Sequence, residues 1–119
     1  MSIAGVICEV RYRIDKMAID EFKAYAGTWM RLIERYGGTH HGYFISREAP
    51  AGAAMSFPKA GEDEAYDVAV ALFSFPDDNA YLRYRDDVAR DAEGIEANSR
   101  FGNSLPFISY QRVFLERLS

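Results

Sequence analysis

The sequence predicts an α+β domain in which a four-stranded antiparallel sheet carries two helices on one face. Two observations predict it. The spacing of hydrophobic residues changes along the chain between a period of two and a period near 3.6, and the order of these periods is strand, helix, strand, repeated once. With 119 residues, 49% of them hydrophobic and 14% aromatic, the chain is long enough to form one domain with its own core.

Six elements follow from these periods. The predicted strands are residues 6–14, 39–47, 65–75 and 107–118, and the predicted helices are residues 19–36 and about 77–100. Gly37 can adopt the left-handed conformation that ends the first helix. Aspartate often caps the start of a helix, so we expect Asp77 or Asp78 to cap the second one. Residues 49–64 contain two prolines and two glycines and show neither period, which predicts a loop insertion.

The order of the elements predicts a ferredoxin-like βαββαβ arrangement with both helices on the same sheet face. The third strand is apolar on both of its faces, with valines and a leucine on one side and alanines and phenylalanines on the other. Because two helices cover only one sheet face, something else must cover the second. We therefore expect a homodimer in which two sheets face each other around a shared interior, and a higher assembly of such dimers stays open.

Charge, hydropathy and cysteine content restrict the classes of partner that the chain can have. The net charge of −4 and the scattered lysines and arginines predict no nucleic-acid binding. No apolar run reaches the roughly 18 residues that a membrane-spanning helix requires, so we expect no membrane partner. Cys8 is the single cysteine, which suits a reducing compartment and predicts a cytoplasmic protein. The sequence lacks a phosphate-binding glycine loop and a dinucleotide fingerprint, and we expect no cofactor.

Several ordered segments resemble those of one known family. The segments are Glu9–Arg13, Ile19–Phe22, Tyr36–Gly38, Gly42–Ile45, Ala71–Pro76, Ala80–Arg85 with Asp91, and Arg112–Leu115. Their order is similar to that of NIPSNAP-type domains in the dimeric α/β-barrel group. The chain departs from that pattern where Asp15–Ala18 replaces a Pro-Gly turn, and in the length of the 49–64 loop. The resemblance implies the ferredoxin-like fold and the dimer, and it leaves the chemistry open.

The two histidines are the most conspicuous candidates for chemistry. His40 and His41 are adjacent on a predicted strand, so their side chains point to opposite faces. A metal site needs about three converging ligands, and we expect none here. One inward histidine can serve as a proton shuttle or ligand anchor, and His41 is the candidate catalytic residue. The residues predicted to line a ligand pocket are Glu9, Arg11, His41, Tyr43 and Gln111.

Three functions are compatible with these residues. The first is binding of a small, partly apolar molecule inside the barrel, with Arg11 contacting an anionic or carbonyl oxygen. The second is a cofactor-independent mono-oxygenase or isomerase, with His41 or Glu9 as the base. The third is a non-catalytic dimeric interaction module, in which the dimer and its long loop matter and no pocket exists. The structural alternative to a pocket at Glu9 and Arg11 is an ion-pair network that holds the dimer together, or a solvated sheet edge. We expect Cys8 and Trp29 to be packing residues.

Overall fold

The computed structural model describes residues 5–47, 50–52, 67–100 and 106–118. The strands are β1 (Val6–Ile14), β2 (Thr39–Ile45), β3 (Asp67–Phe75) and β4 (Ser109–Leu115), and the α-helices are α1 (Ile19–Arg35), α2 (Asp78–Val88) and α3 (Ala92–Arg100). The strands form one antiparallel sheet in the order β2-β3-β1-β4. This order confirms the predicted ferredoxin-like fold. The predicted loop at residues 49–64 lies almost entirely outside the described residues.

Local hydrogen bonds define the turn that leads into α1 and the end of that helix. Asp15 begins a single 3₁₀ turn, Lys16–Ala18, by accepting a hydrogen bond from the Met17 N–H at 2.8 Å. At the other end of α1, Gly37 has φ +94° and the Gly38 N–H donates to the Ile33 carbonyl at 2.9 Å. These are the bonds of a glycine helix end, as the sequence predicts.

The core lies between the helices and one face of the sheet. The buried sheet residues are Cys8, Val10, Tyr12 and Ile14 of β1 and Ala69, Ala71, Phe73 and Phe75 of β3. They pack against a buried stripe of α1 that contains Phe22, Ala26, Leu32 and Ile33. The valines and the leucine of β3 therefore belong to the other sheet face, which none of the described helices covers. That face is called the open face below.

One predicted helix is two helices in the structure. The sequence predicts a continuous helix from about residue 77 to residue 100, but α2 ends at Val88 and α3 begins at Ala92. Asp91 causes the break, because its Oδ1 accepts hydrogen bonds from the N–H groups of Glu93 at 2.8 Å and Gly94 at 3.2 Å. An aspartate that caps a new helix competes with continuation of the preceding one. Asp77 caps α2 through the Ala80 N–H at 2.7 Å, as predicted.

A polar cluster fixes α3 against α1. Asp91 Oδ2 accepts hydrogen bonds from Tyr36 Oη at 2.5 Å and Arg35 Nη1 at 2.9 Å. Glu93 pairs with Arg31 at 2.5 Å and with Arg35 at 2.9 Å. The hydrogen bond from Tyr36, together with those from the backbone and Arg35, lowers the pKa of Asp91 from 3.8 to about 2. The cluster is therefore built around an ionised Asp91.

Asp91→Asn should destabilise the fold near neutral pH, because asparagine keeps the helix cap and loses the charge. The stabilisation that comes from the lowered pKa of Asp91 is present above pH 3.8, the ordinary pKa of the group, and is lost as the pH falls toward about 2. The difference in melting temperature between wild type and variant should accordingly be several degrees near pH 7 and should shrink through that acid window. Thermal unfolding followed by circular dichroism measures it. Asp86→Asn, at an exposed site on α2, is the control; an equal effect from it would contradict the assignment.

None of the helices among the described residues has the length and apolar character needed to cross a membrane.

Candidate functional site

Four of the five residues predicted to line a pocket lie on the open face. Arg11 pairs with Gln111 across β1 and β4, and Glu9 lies two residues from Arg11 on the same side of β1. Glu9 and Arg11 form an ion pair at 3.7 Å. His41 belongs to the same face through a hydrogen bond of 2.8 Å between its Nε2 and Ser74 Oγ. The polar residues that the sequence singled out are thus brought onto one surface.

Tyr43, the fifth residue, lies on the opposite face, and this corrects the predicted grouping. Regular alternation would place His41 and Tyr43 on one side of β2, but the pairing with β3 shifts between His40 and Gly42. The extra residue is a β-bulge, which Gly42 accommodates with φ +126°. His40 and Tyr43 therefore stack on each other beneath the helices, with ring centroids 4.9 Å apart.

The neutral ring of His40 supports the bulge. Its Nδ1 accepts a hydrogen bond from the Gly42 N–H at 3.0 Å. Burial lowers the pKa of His40, which keeps the ring neutral and Nδ1 able to accept. The two histidines consequently have separate surroundings: His40 lies on the helical face of the sheet, and His41 lies on the open face.

A cavity of about 320 Å³ lies between the helical face of the sheet and the helices. Most of its described lining is aromatic: Tyr12, Tyr25, Trp29, Tyr43, Phe73, Tyr84, Phe107 and Tyr110. Val10 and Ile33 complete the apolar wall, and Arg85, Asn98 and Arg112 supply the other polar side chains. Of the residues predicted to bind a ligand, only Tyr43 lines this cavity.

Three tyrosines of the cavity, Tyr12, Tyr25 and Tyr43, lie close together. Tyr12 is buried, and its ring lies near those of Tyr25 and Tyr43, with ring centroids 6.3 Å apart in each pair. Burial raises the pKa of Tyr12 and Tyr43, and it raises the pKa of Tyr84 to about 12. These phenols therefore stay protonated near neutral pH and present O–H groups, which can donate to an oxygen or nitrogen atom of a ligand.

Trp29 packs against the core, as predicted, and it also lines the cavity. Its side chain is only partly buried and lines the cavity. The indole Nε1 is inaccessible to solvent and has no hydrogen-bond acceptor among the described residues. An unpaired buried donor costs about 1–3 kcal/mol. Because Nε1 has no accessible surface, a molecule in the cavity would contact other atoms of the Trp29 side chain. Trp29 thus adds aromatic surface to the cavity wall.

The exposed side chains of the lining mark where the cavity opens. Arg85 of α2, Asn98 of α3, and Tyr110 and Arg112 of β4 are exposed, whereas the lining residues on β1 and β3 are buried. The opening, called the mouth below, is therefore bounded by these four residues. Arg112 Nη1 donates to Tyr81 Oη at 3.4 Å. Sequence reasoning missed the mouth, although Tyr110, Arg112 and Phe114 alternate on β4 in a way that places an arginine among aromatic residues.

Cys8 is a core residue, as expected. It is fully buried in β1, and burial raises the pKa of its thiol to about 11. A thiol of this kind is a poor nucleophile at neutral pH. The cavity, rather than the cysteine, is therefore the candidate for chemistry or binding.

Comparison with solved structures supports the fold. The chain is similar to an uncharacterised NIPSNAP-like domain protein from Burkholderia xenovorans, with a TM-score of 0.69, 17% identity, and coverage of 98% of this chain and 88% of that one. A NIPSNAP family protein from Agrobacterium tumefaciens gives a TM-score of 0.71 at 14% identity, covering 99% and 90% of the two chains. Likeness at these identities shows the fold alone.

A more distant structure is that of an oxygenase. A mutant of SnoaB, a cofactor-independent oxygenase from Streptomyces nogalater, gives a TM-score of 0.56 at 12% identity, covering 98% of this chain and 95% of that one. No curated protein matches the chain. The NIPSNAP family profile matches residues 8–118, which include all four strands and three helices except the first two residues of β1. The chain belongs to the NIPSNAP family.

Proposed function

We propose that the protein binds a small, partly apolar molecule in the aromatic cavity between its sheet and its helices. The observation that carries this proposal is the lining: about 320 Å³ enclosed mainly by aromatic rings, with hydrogen-bond donors among them. Ligand pockets in proteins combine apolar walls with a few polar groups and have volumes from about 300 Å³ upward. The proposal moves the ligand from the open face, where the sequence analysis expects it, to the helical face.

Binding fits the cavity better than catalysis does. A general base must lie within hydrogen-bond reach of the proton that it removes. Among the described residues, the cavity lining includes no aspartate, glutamate or histidine. Glu9 and His41, the bases that an oxygenase or isomerase would use, lie on the other side of the sheet. The likeness to SnoaB concerns the fold alone.

We also propose that a second copy of the chain covers the open face. This face carries the half-buried Ile7, Val70 and Leu72 and the more exposed Phe44, Val113 and Leu115. Exposed apolar surfaces of this extent are typical of interaction sites. The ion pair of Glu9 with Arg11 gives the centre of the face no net charge, which favours contact between identical surfaces. The buried free thiol of Cys8 supports a reducing, cytoplasmic setting for this dimer.

Native mass spectrometry of the purified protein, followed by denaturing release of bound molecules, tests the ligand. We expect a reproducible additional mass. Asn98→Phe should abolish it, because a bulky ring at the exposed mouth blocks the cavity without disturbing the core. Asn79→Phe, which makes the same change at an exposed position of α2, should leave it unchanged.

Either of two results would contradict the proposal. A protein that purifies empty and binds no aromatic compound added to it would favour the non-catalytic interaction module. A bound mass that survives Asn98→Phe would place the ligand elsewhere, and the open face would then be the next candidate.

A further inference from the structure

Two arginines at the mouth of the cavity have no acidic partner among the described residues. Arg85 and Arg112 both line the cavity, and neither forms an ion pair with a described residue. Among the described arginines, Arg11, Arg31 and Arg35 each pair with a carboxylate. Of those that form no such pair, Arg85 and Arg112 are the two that line the cavity. The chain carries a net charge of −4, so acidic groups are not scarce. Two such cations at one opening therefore form a local positive site in an acidic protein.

The positive potential of these arginines extends into the cavity. Both Arg85 and Arg112 act on the Tyr84 phenol, where they oppose the pKa increase caused by burial. Arg112 has the same effect on the pKa of Tyr25. A group bound among these tyrosines would experience the same potential, which favours negative charge and disfavours positive charge.

We propose that the ligand is an aromatic carboxylate, with its ring system among the tyrosines and Trp29 and its carboxylate at Arg112 and Arg85. This inference rests on the proposed function and specifies its ligand class. Aromatic cages elsewhere bind cations through the faces of their rings, but two arginines at the mouth repel a cation. A guanidinium group matches the two oxygens of a carboxylate. The phenol O–H groups inside the cavity can then donate hydrogen bonds to a further oxygen or nitrogen atom of the ligand.

The size and polarity of the site support the same class. A volume of about 320 Å³ suits a compact fused-ring system rather than a long chain or a nucleotide. Apolar walls at the buried end and cations at the mouth require a molecule with one apolar end and one anionic end. A planar aromatic acid has both, and its ring can stack against the cavity wall.

Isothermal titration calorimetry with 2-naphthoate and 2-naphthamide tests the inference, because the two probes share a ring system and differ in charge. Wild-type protein should bind naphthoate about tenfold or more tightly than naphthamide. Arg112→Gln should weaken naphthoate binding by about tenfold and leave naphthamide binding nearly unchanged. Arg85→Gln should act in the same direction. Arg112→Lys should restore part of the affinity, since it keeps the charge and loses the paired geometry.

Matched controls separate this inference from the proposed function. Arg90→Gln removes an exposed arginine in the turn after α2 that does not line the cavity, and it should leave both affinities unchanged. Equal binding of the two probes, unaffected by Arg112→Gln, would overturn the anionic ligand and leave the cavity as a binding site. Binding of neither probe would count against both proposals. Circular dichroism of each variant verifies that it is folded.

Discussion

Replacing Gly38 with alanine should lower the free energy of unfolding by about 1–3 kcal/mol, and more if the core cannot shift. A Cβ atom at this position would lie 2.7 Å from Ile33 Cγ2 and 2.8 Å from Cε1 and Cζ of the Phe75 ring. Both neighbours are 2% exposed and belong to the core. A close-packed interior cannot admit a methyl group there without moving a side chain. Chemical denaturation followed by tyrosine and tryptophan fluorescence measures the change.

A control and a double mutant make this prediction specific. Gly27→Ala, inside α1, meets nothing closer than an Arg31 nitrogen at 3.8 Å and should be neutral or stabilising, because alanine favours helix. Phe75→Leu removes the ring atoms that the new methyl group meets. The double mutant Gly38→Ala/Phe75→Leu should therefore lose less stability than the sum of the single losses. Strict additivity of the two losses would show that the contact between residues 38 and 75 is not the cause.

Leu72→Arg should convert a dimer into monomers. Leu72 lies near the centre of the open face, opposite Glu9 on β1 and Gly42 on β2. An arginine there can pair with Glu9 within one chain, so the monomer should stay folded. In a sheet-to-sheet dimer, the same arginine brings a charge into the interface twice, once from each subunit. The dissociation constant should rise by at least about a hundredfold, as measured by sedimentation equilibrium.

Leu82→Arg is the matched control for this experiment. Leu82 is 58% exposed on α2, away from the open face, so the same substitution should leave the assembly unchanged. Wild-type protein that stays monomeric at micromolar concentrations would refute the dimer. A Leu72→Arg variant that remains dimeric would mean that the two copies meet through another surface.

Most of the fold could be predicted from the sequence because the hydrophobic period reports local geometry directly. The bounds of β1 agree with the structure at both ends, and α1 differs from its prediction by one residue at its end. The prediction failed at Asp91, where one helix becomes two. The cap bonds from Asp91 Oδ1 to Glu93 and Gly94 are local, whereas its Oδ2 is bound by Tyr36 and Arg35, more than fifty residues earlier in the chain. A periodicity argument over residues 77–100 considers only the spacing of hydrophobic residues, so it includes neither the cap nor the contacts with Tyr36 and Arg35.

The candidate site was less predictable, and β2 shows why. Alternation correctly separates His40 from His41, but it assumes one residue per step. The bulge at Gly42 breaks this assumption and sends Tyr43 to the helical face. Arg85 and Arg112 are far apart in the chain and look like ordinary surface residues. Only their shared position at the mouth suggests a common role for them.

The sequence by itself determined the family and the order of the elements, because these follow from local periods and from segments that match along the chain. The tertiary structure decided which face carries the cavity and which residues meet there. The pairing of β1 with β3 and β4 and the bulge in β2 set those positions. Each depends on contacts between distant residues, whose energies no local pattern records.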